Sequence, residues 1–255
     1  MASPGTHAFL DHDGPIAFAH RGGASEAPEN TMPAFEYAVN LGYRYIETDV
    51  HATADGVLLA FHDAKLDRVT DRNGIIADLP YSEVAKARVD GREPIPRFEE
   101  LLNAWPDLRI NIDPKKHNAV TPLIDALRKS GAIDRVCIGS FSDQRLQTMR
   151  HELGPKLCTS SGPLETARLL ASSRGMPVGL PPGVAAAQVP VKQGPVPVVT
   201  KRFVSFLHRH NLQVHVWTID DEAEMARLLD LGVDGIMTDR PAVLRSVLES
   251  RGQWS

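Results

Sequence analysis

Cysteine is nearly absent from this chain of 255 residues: it has only Cys137 and Cys158, each inside an apolar run that reads as a buried strand. A disulfide scaffold is thereby excluded, and inert core thiols are the expectation. Aromatic residues are also scarce, at 6%. No apolar run approaches the ~18 residues of a membrane span. The formal net charge is −4, with acids and bases interspersed and no clustered basic face, so no nucleic-acid partner is expected. The opening segment, residues 1–7, has neither a basic start nor an apolar stretch, which points to a cytoplasmic protein without stable membrane association. No heptad helix marks a self-association surface, and the sequence leaves the oligomeric state open.

What the chain does contain is a steady alternation of short apolar runs and longer amphipathic ones, the pattern of repeated β-α units around a parallel sheet. Strands are expected at 16–20, 43–50, 108–113, 136–141, 157–160, 185–190, 212–219 and 235–238. Helix starts are marked by Thr31, Ser142, Thr200 and Asp220 as caps, and helix ends by Gly42, Gly131, Gly154 and Gly232. The fold class implied is α/β, a (β/α)8 TIM barrel filling one domain over 1–255. No Gly-x-Gly-x-x-Gly follows the first strand to support the alternative, an open dinucleotide-binding sheet. One segment breaks the rhythm: Asp55-Gly56 signals a hairpin returning through 57–62, and residues 63–96 read as a small insertion after the second strand.

Chemistry collects at the predicted strand ends. His20-Arg21-Gly22-Gly23 closes the first strand, Glu47-Thr48-Asp49 the second, Phe61-His62-Asp63 the hairpin, and Asn111-Ile112-Asp113-Pro114-Lys115 the next barrel strand. Glu47 and Asp49 are two apart and point to one face, which at the C-terminal end of a barrel strand is the mouth. Together with Asp113 they form an oxygen-only set suited to Mg²⁺ or Ca²⁺, with Mn²⁺ also compatible. A divalent ion with Arg21 and Lys115 offsets those carboxylates and leaves room for a phosphate diester. His20 and His62 supply the proton transfers that cleaving such a diester needs.

Other residues take blander readings. His7 and His12 belong to an N-terminal segment expected to be mobile. His151 lacks the second histidine of a zinc helix. His51 shares a face with Glu47 and Asp49 but receives no role from alternation alone, and His208 and His210 fall on the solvent side of a helix. Trp217 ends the seventh strand, where core filler and substrate wall are equally open readings.

The ordered set His20-Arg21-Gly22, Pro28-Glu29-Asn30-Thr31, Glu47-Thr48-Asp49, Asp55-Gly56, His62-Asp63, Asn111 to Lys115, Val216-Trp217-Thr218 and the closing 232–241 resembles the glycerophosphodiester phosphodiesterase family. The resemblance implies a TIM barrel that uses a divalent cation to hydrolyse glycerophosphodiesters to sn-glycerol 3-phosphate and an alcohol. It makes His20 and His62 the acid-base pair, Glu47, Asp49 and Asp113 the metal ligands, Arg21 and Lys115 the phosphate contacts, and Glu29 and Asn30 turn residues supporting the ligands. In the family's mechanism a neighbouring glycerol hydroxyl attacks phosphorus to give a cyclic phosphate, which water opens. Two positions depart from the pattern: the family usually has glutamate at 113 and an aliphatic residue at 114. The closing 232–241 mostly records barrel closure.

Two rival functions accompany this reading. A lysophospholipase D or sphingomyelinase D-like activity uses the same barrel on lipid substrates, which need apolar loops at the mouth. The polar stretch 65–92 argues against it, whereas the apolar, proline-rich stretch 175–197 argues for it. A non-catalytic phosphate-binding barrel would lack a histidine or two of the acids, and none is lost here.

Overall fold

In the computed structural model, which describes residues 7–254, the elements run in the order β1 (Ile16–His20), α1 (Met32–Asn40), β2 (Tyr45–Ala52), β3 (Leu58–Ala60), α2 (Tyr81–Val84), β4 (Arg88–Val89), β5 (Glu93–Pro94), α3 (Phe98–Ala104), β6 (Arg109–Pro114), α4 (Val120–Ser130) and β7 (Val136–Ile138). They continue with α5 (Asp143–Leu153), β8 (Cys158–Thr159), α6 (Pro163–Ser173), β9 (Ala186–Val189), β10 (Lys192–Gln193), β11 (Val196–Pro197), α7 (Lys201–Arg209), β12 (Gln213–Val216), α8 (Glu222–Leu231), β13 (Gly235–Thr238) and α9 (Pro241–Ser250). Most of the opening segment, residues 1–6, lies outside the described residues.

Parallel pairing joins β8, β7, β6, β2, β1, β13, β12 and β9 in that order. A parallel bridge between Ser160 and Ala186 links the two ends of the row, so the sheet curls nearly shut. This is the expected TIM barrel. Each strand buries both faces. Outward residues such as Ile46, Ile110, Ile112, Val214, Val216 and Ile236 pack under the helices, and inward Ile16, Phe18, Tyr45, Cys137, Cys158 and Met237 fill the interior.

Local signals act as expected at most helix starts. Thr31 accepts from Ala34 N, Ser142 from Arg145 N and Thr200 from Phe203 N. Asp220 is the exception: the cap is its neighbour Asp221, which accepts from Glu224 N. Asp220 is drawn instead to the next strand, where its Oδ1 accepts from Thr238 Oγ1 and from Asp239 N. Several strands are shorter than their apolar runs, because the run continues into the loop that carries the site.

Residues 7–12 are pinned rather than mobile. A 3-10 turn over Ala8–Leu10 inserts fully buried Phe9 into the strand-start end of the barrel. Phe9 O accepts from Tyr45 Oη at 2.9 Å, and the rings of Phe9 and Tyr45 meet edge to face. His7 is held at Lys156 O, and the His12 ring stands against Tyr45.

β3 pairs antiparallel with the end of β2, as the hairpin signal implies. The excursion that follows carries its own apolar cluster of Leu66, Ile76, Val84, Ala87, Val89 and Ile95, packed under Leu59 and Phe61, and a β4–β5 hairpin that the sequence reading lacks. The apolar stretch 175–197 divides. Residues 174–185 precede β9, at the end where strands begin and away from the mouth; there Arg168 and Ser172 bond the carbonyls of Val178 and Gly179. Exposed Met176, Val178 and Leu180 therefore do not line the mouth, whereas the β10–β11 hairpin with exposed Val196 follows β9 at that end.

Candidate active site

Strand register brings the predicted residues together. Parallel pairing sets His20 beside Glu47, Glu47 beside Asn111, and Asp49 beside Asp113. Paired residues on neighbouring strands face the same side, so these side chains form two tiers facing the barrel axis. All three acids are deeply buried, with Glu47 5%, Asp49 1% and Asp113 6% exposed. Pro114, the other departure from the family pattern, ends β6 opposite Val50. Lys115 N resumes pairing with Val50 O, so by alternation the missing N–H of Pro114 faces the side where β7 has already ended.

The turn after β1 depends on glycine. Arg21 and Gly22 both have positive φ, 52° and 83°. A Cβ on Gly22 would stand 2.7 Å from the Ala34 carbonyl carbon. This tight turn folds Arg21 back over the acids: its N–H donates to Glu47 O at 3.0 Å, and Nη1 donates to Glu29 Oε1 at 3.0 Å. Its Nε lies 3.3 Å from Asp49 Oδ2, an ion pair whose angle makes no hydrogen bond. Asn30 Nδ2 donates to the same oxygen at 3.2 Å, while Thr48 Oγ1 donates to Asn30 Oδ1 and fixes the amide. Lys115 Nζ stands between Asp49 and Asp113, 2.7 and 3.0 Å from their oxygens.

The two histidines approach one stretch of β2 from opposite directions. β1 rises along one edge of β2 and ends where Arg21 N meets Glu47 O; β3 descends along the same edge until Phe61 N meets Asp49 O. His20 and His62 therefore arrive at the Glu47–Asp49 stretch from below and above. Each is anchored by a carboxylate on Nδ1: His20 by Asp239 Oδ1 at 2.6 Å and His62 by Asp63 Oδ1 at 2.5 Å. A carboxylate only accepts, so each Nδ1 carries its proton and each Nε2 is left for other partners. Nε2 of His20 is 3.7 Å from Glu47 Oε2. His51, which alternation left without a role, donates from Nε2 to the His62 carbonyl at 3.0 Å.

Electrostatics separates the acids. Burial, reinforced by Asp49, pushes the Glu47 carboxyl up to about 7 even though His20 pulls the other way. Burial also raises Asp113, against the attraction of Lys115. Asp49 is equally buried, yet Lys115 and Arg21 hold it below the ordinary aspartate value. Burial works against the charge on Lys115, but Asp49 and Asp113 keep its ammonium well protonated. His20 is raised because Glu47 and Asp239 outweigh its burial. Asp63 falls to about 2, held by hydrogen bonds from Arg68 and then His62, while its partial burial acts the other way.

A divalent cation fits this set. Asp113 Oδ1 is buried with no hydrogen-bond partner, and Glu47 is short of positive charge. Both are hard oxygen donors of the kind Mg²⁺ and Ca²⁺ take. Among the described residues, no three His, Cys, Asp or Glu side chains already converge on one point, and Lys115 partly fills the role between Asp49 and Asp113. Trp217 is half-buried against the interior cluster, and its ring meets that of Phe141 edge to face at 5.6 Å. Phe141 is 65% exposed and lies under Lys115 Nζ.

Asp239, Arg68 and Phe141 escaped sequence reasoning. Asp239 had a signal, since it follows the last strand of a barrel whose first strand ends in His20. Arg68 had none, because its partners are brought to it by the insertion's fold.

Residues 20–243 match the glycerophosphoryl diester phosphodiesterase family. The chain belongs to that family. A Mycobacterium tuberculosis protein named "Probable glycerophosphodiester phosphodiesterase 2" is 41% identical over 254 residues, covering 96% of this chain and 95% of that one. Two solved structures share the fold. One from Silicibacter pomeroyi covers 98% of both chains at 22% identity and a TM-score of 0.81. The other, an Oleispira antarctica phosphodiesterase in complex with the product sn-glycerol-3-phosphate, covers 92% of this chain and 97% of its own at 23% identity and a TM-score of 0.78.

Proposed function

We propose that this family member, as one domain over 1–255 and in the cytoplasm, hydrolyses glycerophosphodiesters to sn-glycerol 3-phosphate and an alcohol with the help of a divalent cation. The observation that carries the reading is the pair of carboxylate-anchored histidines meeting at Glu47–Asp49 beside Arg21 and Lys115. Family membership and the product named for the Oleispira relative support the substrate class.

Glu47, Asp49 and Asp113 would hold the cation, which when bound supplies charge that polarises a phosphoryl oxygen. Arg21 and Lys115 bind the remaining phosphate charge. His62, with Nδ1 tied to Asp63, accepts at Nε2 the proton of the glycerol hydroxyl as its oxygen bonds to phosphorus. His20, held protonated by Glu47 and Asp239, gives its Nε2 proton to the alkoxide as that P–O bond breaks. Water then attacks the cyclic phosphate and gives a proton to His20 Nε2, while His62 returns its proton to the glycerol oxygen as the ring P–O bond breaks.

The test is release of glycerol 3-phosphate from glycerophosphocholine and glycerophosphoethanolamine by EDTA-stripped protein, with Mg²⁺, Mn²⁺ or Ca²⁺ added back. Metal-restored turnover is the expected result. No turnover with any metal would overturn the reading.

A further inference from the structure

Arg68 lies in the insertion, yet all three of its guanidinium nitrogens are engaged at the mouth. Nε donates to Asp63 Oδ2 at 2.6 Å, and Nη2 reaches Asp63 Oδ1 at 3.2 Å. Nη1 and Nη2 donate to Glu29 Oε2 and Oε1 at 2.9 and 2.6 Å. Both carboxylates have a second client. Asp63 accepts from His62 Nδ1, and Glu29 accepts from Arg21 Nη1. The result is an unbroken chain, His62–Asp63–Arg68–Glu29–Arg21, from a histidine proposed for proton transfer to an arginine proposed for phosphate.

We infer that Arg68 is a positioning residue, which clamps the His62 loop and the Arg21 loop into one catalytic geometry and so makes the insertion part of the active site. The inference rests on the function proposed above. An isolated exposed ion pair contributes little, and Arg68 is itself 47% exposed on its side chain. Here, however, a planar fork makes paired contacts to two carboxylates whose exposures are only 25% and 14%. Removing the fork leaves Asp63 and Glu29 as neighbouring like charges. Asp63 then loses its hold on the His62 tautomer, and Glu29 pulls harder on Arg21, away from Asp49. With its nitrogens occupied by carboxylates, Arg68 is not itself a phosphate contact. The clamp also forms one wall of a cleft of about 650 Å³, between the loop after β1 and the insertion, lined by Glu26, Thr70, Asp71 and Arg92 among others.

A lysine keeps the charge but cannot form the fork, which makes it the informative substitution. Arg68→Ala and Arg68→Lys should each lower kcat on glycerophosphocholine, the alanine variant by roughly 10- to 100-fold, with KM changed less than about threefold, because geometry rather than ground-state binding is lost. In an Asp63→Asn background, Arg68→Ala should cost far less than it does alone. A kcat within twofold of the parent in Arg68→Ala, or full additivity with Asp63→Asn, would overturn the inference. Exchange of the His62 Nδ1 proton, followed by nitrogen-15 NMR, reads the clamp without activity: it should quicken in both variants. If the parent protein turns over no glycerophosphodiester, the proposed function fails; unchanged His62 exchange in a folded Arg68→Lys variant sinks the clamp separately.

Discussion

The His20 Nδ1 and Asp239 Oδ1 atoms lie 2.6 Å apart although 219 positions separate them in the chain. β1 and β13 are adjacent strands, so the contact exists only when the first and last barrel strands have paired, and the orientation of His20 becomes a readout of that pairing.

Loss of that anchor should act through the imidazole. Asp239→Asn can donate to Nδ1 as well as accept, so the wrong tautomer becomes available. We expect kcat to fall roughly 10²- to 10⁴-fold, and His20→Ala and His62→Ala to fall by a similar factor, with far-ultraviolet circular dichroism unchanged. Near-normal turnover in both histidine variants would remove them from the mechanism.

Glu47 is an acid held at a cost in the metal-free protein, since burial and Asp49 both oppose its charge. Glu47→Gln should therefore weaken divalent-ion binding measured by calorimetry while raising the thermal midpoint of the EDTA-treated protein. Unchanged metal affinity would exclude Glu47 as a ligand.

Gly22 should not tolerate a side chain. With φ at +83° and a virtual Cβ 2.7 Å from backbone, Gly22→Ala must displace either α1 or Arg21. We expect about 1–3 kcal/mol of lost stability by urea titration, with a drop in kcat/KM larger than that loss explains at assay temperature. Full activity at parental stability would show that the turn repacks freely.

His215 supplies a pH dependence. It is fully buried inside the barrel, with Nε2 donating to Gln213 Oε1 at 2.9 Å and Nδ1 facing Gln188 Nε2 at 3.3 Å, and burial pushes it down to about 3. The unfolded chain takes up this proton near the ordinary histidine value, whereas the folded chain refuses it until about pH 3. Stability from this group is therefore complete above the ordinary value and lost as pH falls below it, by about 1.4 kcal/mol per pH unit. Denaturation at pH 7.5 and pH 5 should show that slope flattened in His215→Gln; equal slopes would count against it.

Much of this site is legible from the chain alone because it sits on strands. Glu47 and Asp49 share a face by alternation, and the motif order places them next to His20 and Asp113, as the register bears out. Legibility stops where partners meet through loops. Asp220 has the composition of a cap, but Thr238 and Asp239 on the following strand claim it. Arg68 reads as a surface charge until the insertion's own core holds it against Asp63 and Glu29. The stretch 175–197 reads as one apolar neighbour of the mouth, although its first part emerges at the other end, because hydropathy does not say at which end of a barrel a loop emerges.

Phe9, seated under Tyr45 and Phe18, has a kinetic consequence. It stoppers the strand-start end of the barrel, below the interior cluster of Phe18, Tyr45 and Met237. On the function proposed above, substrate and product would enter and leave at the opposite end, where β1 ends in His20. The departing alcohol would then clear the mouth before the hydrolytic water takes its place, so that traffic as well as proton affinity would set the order of events.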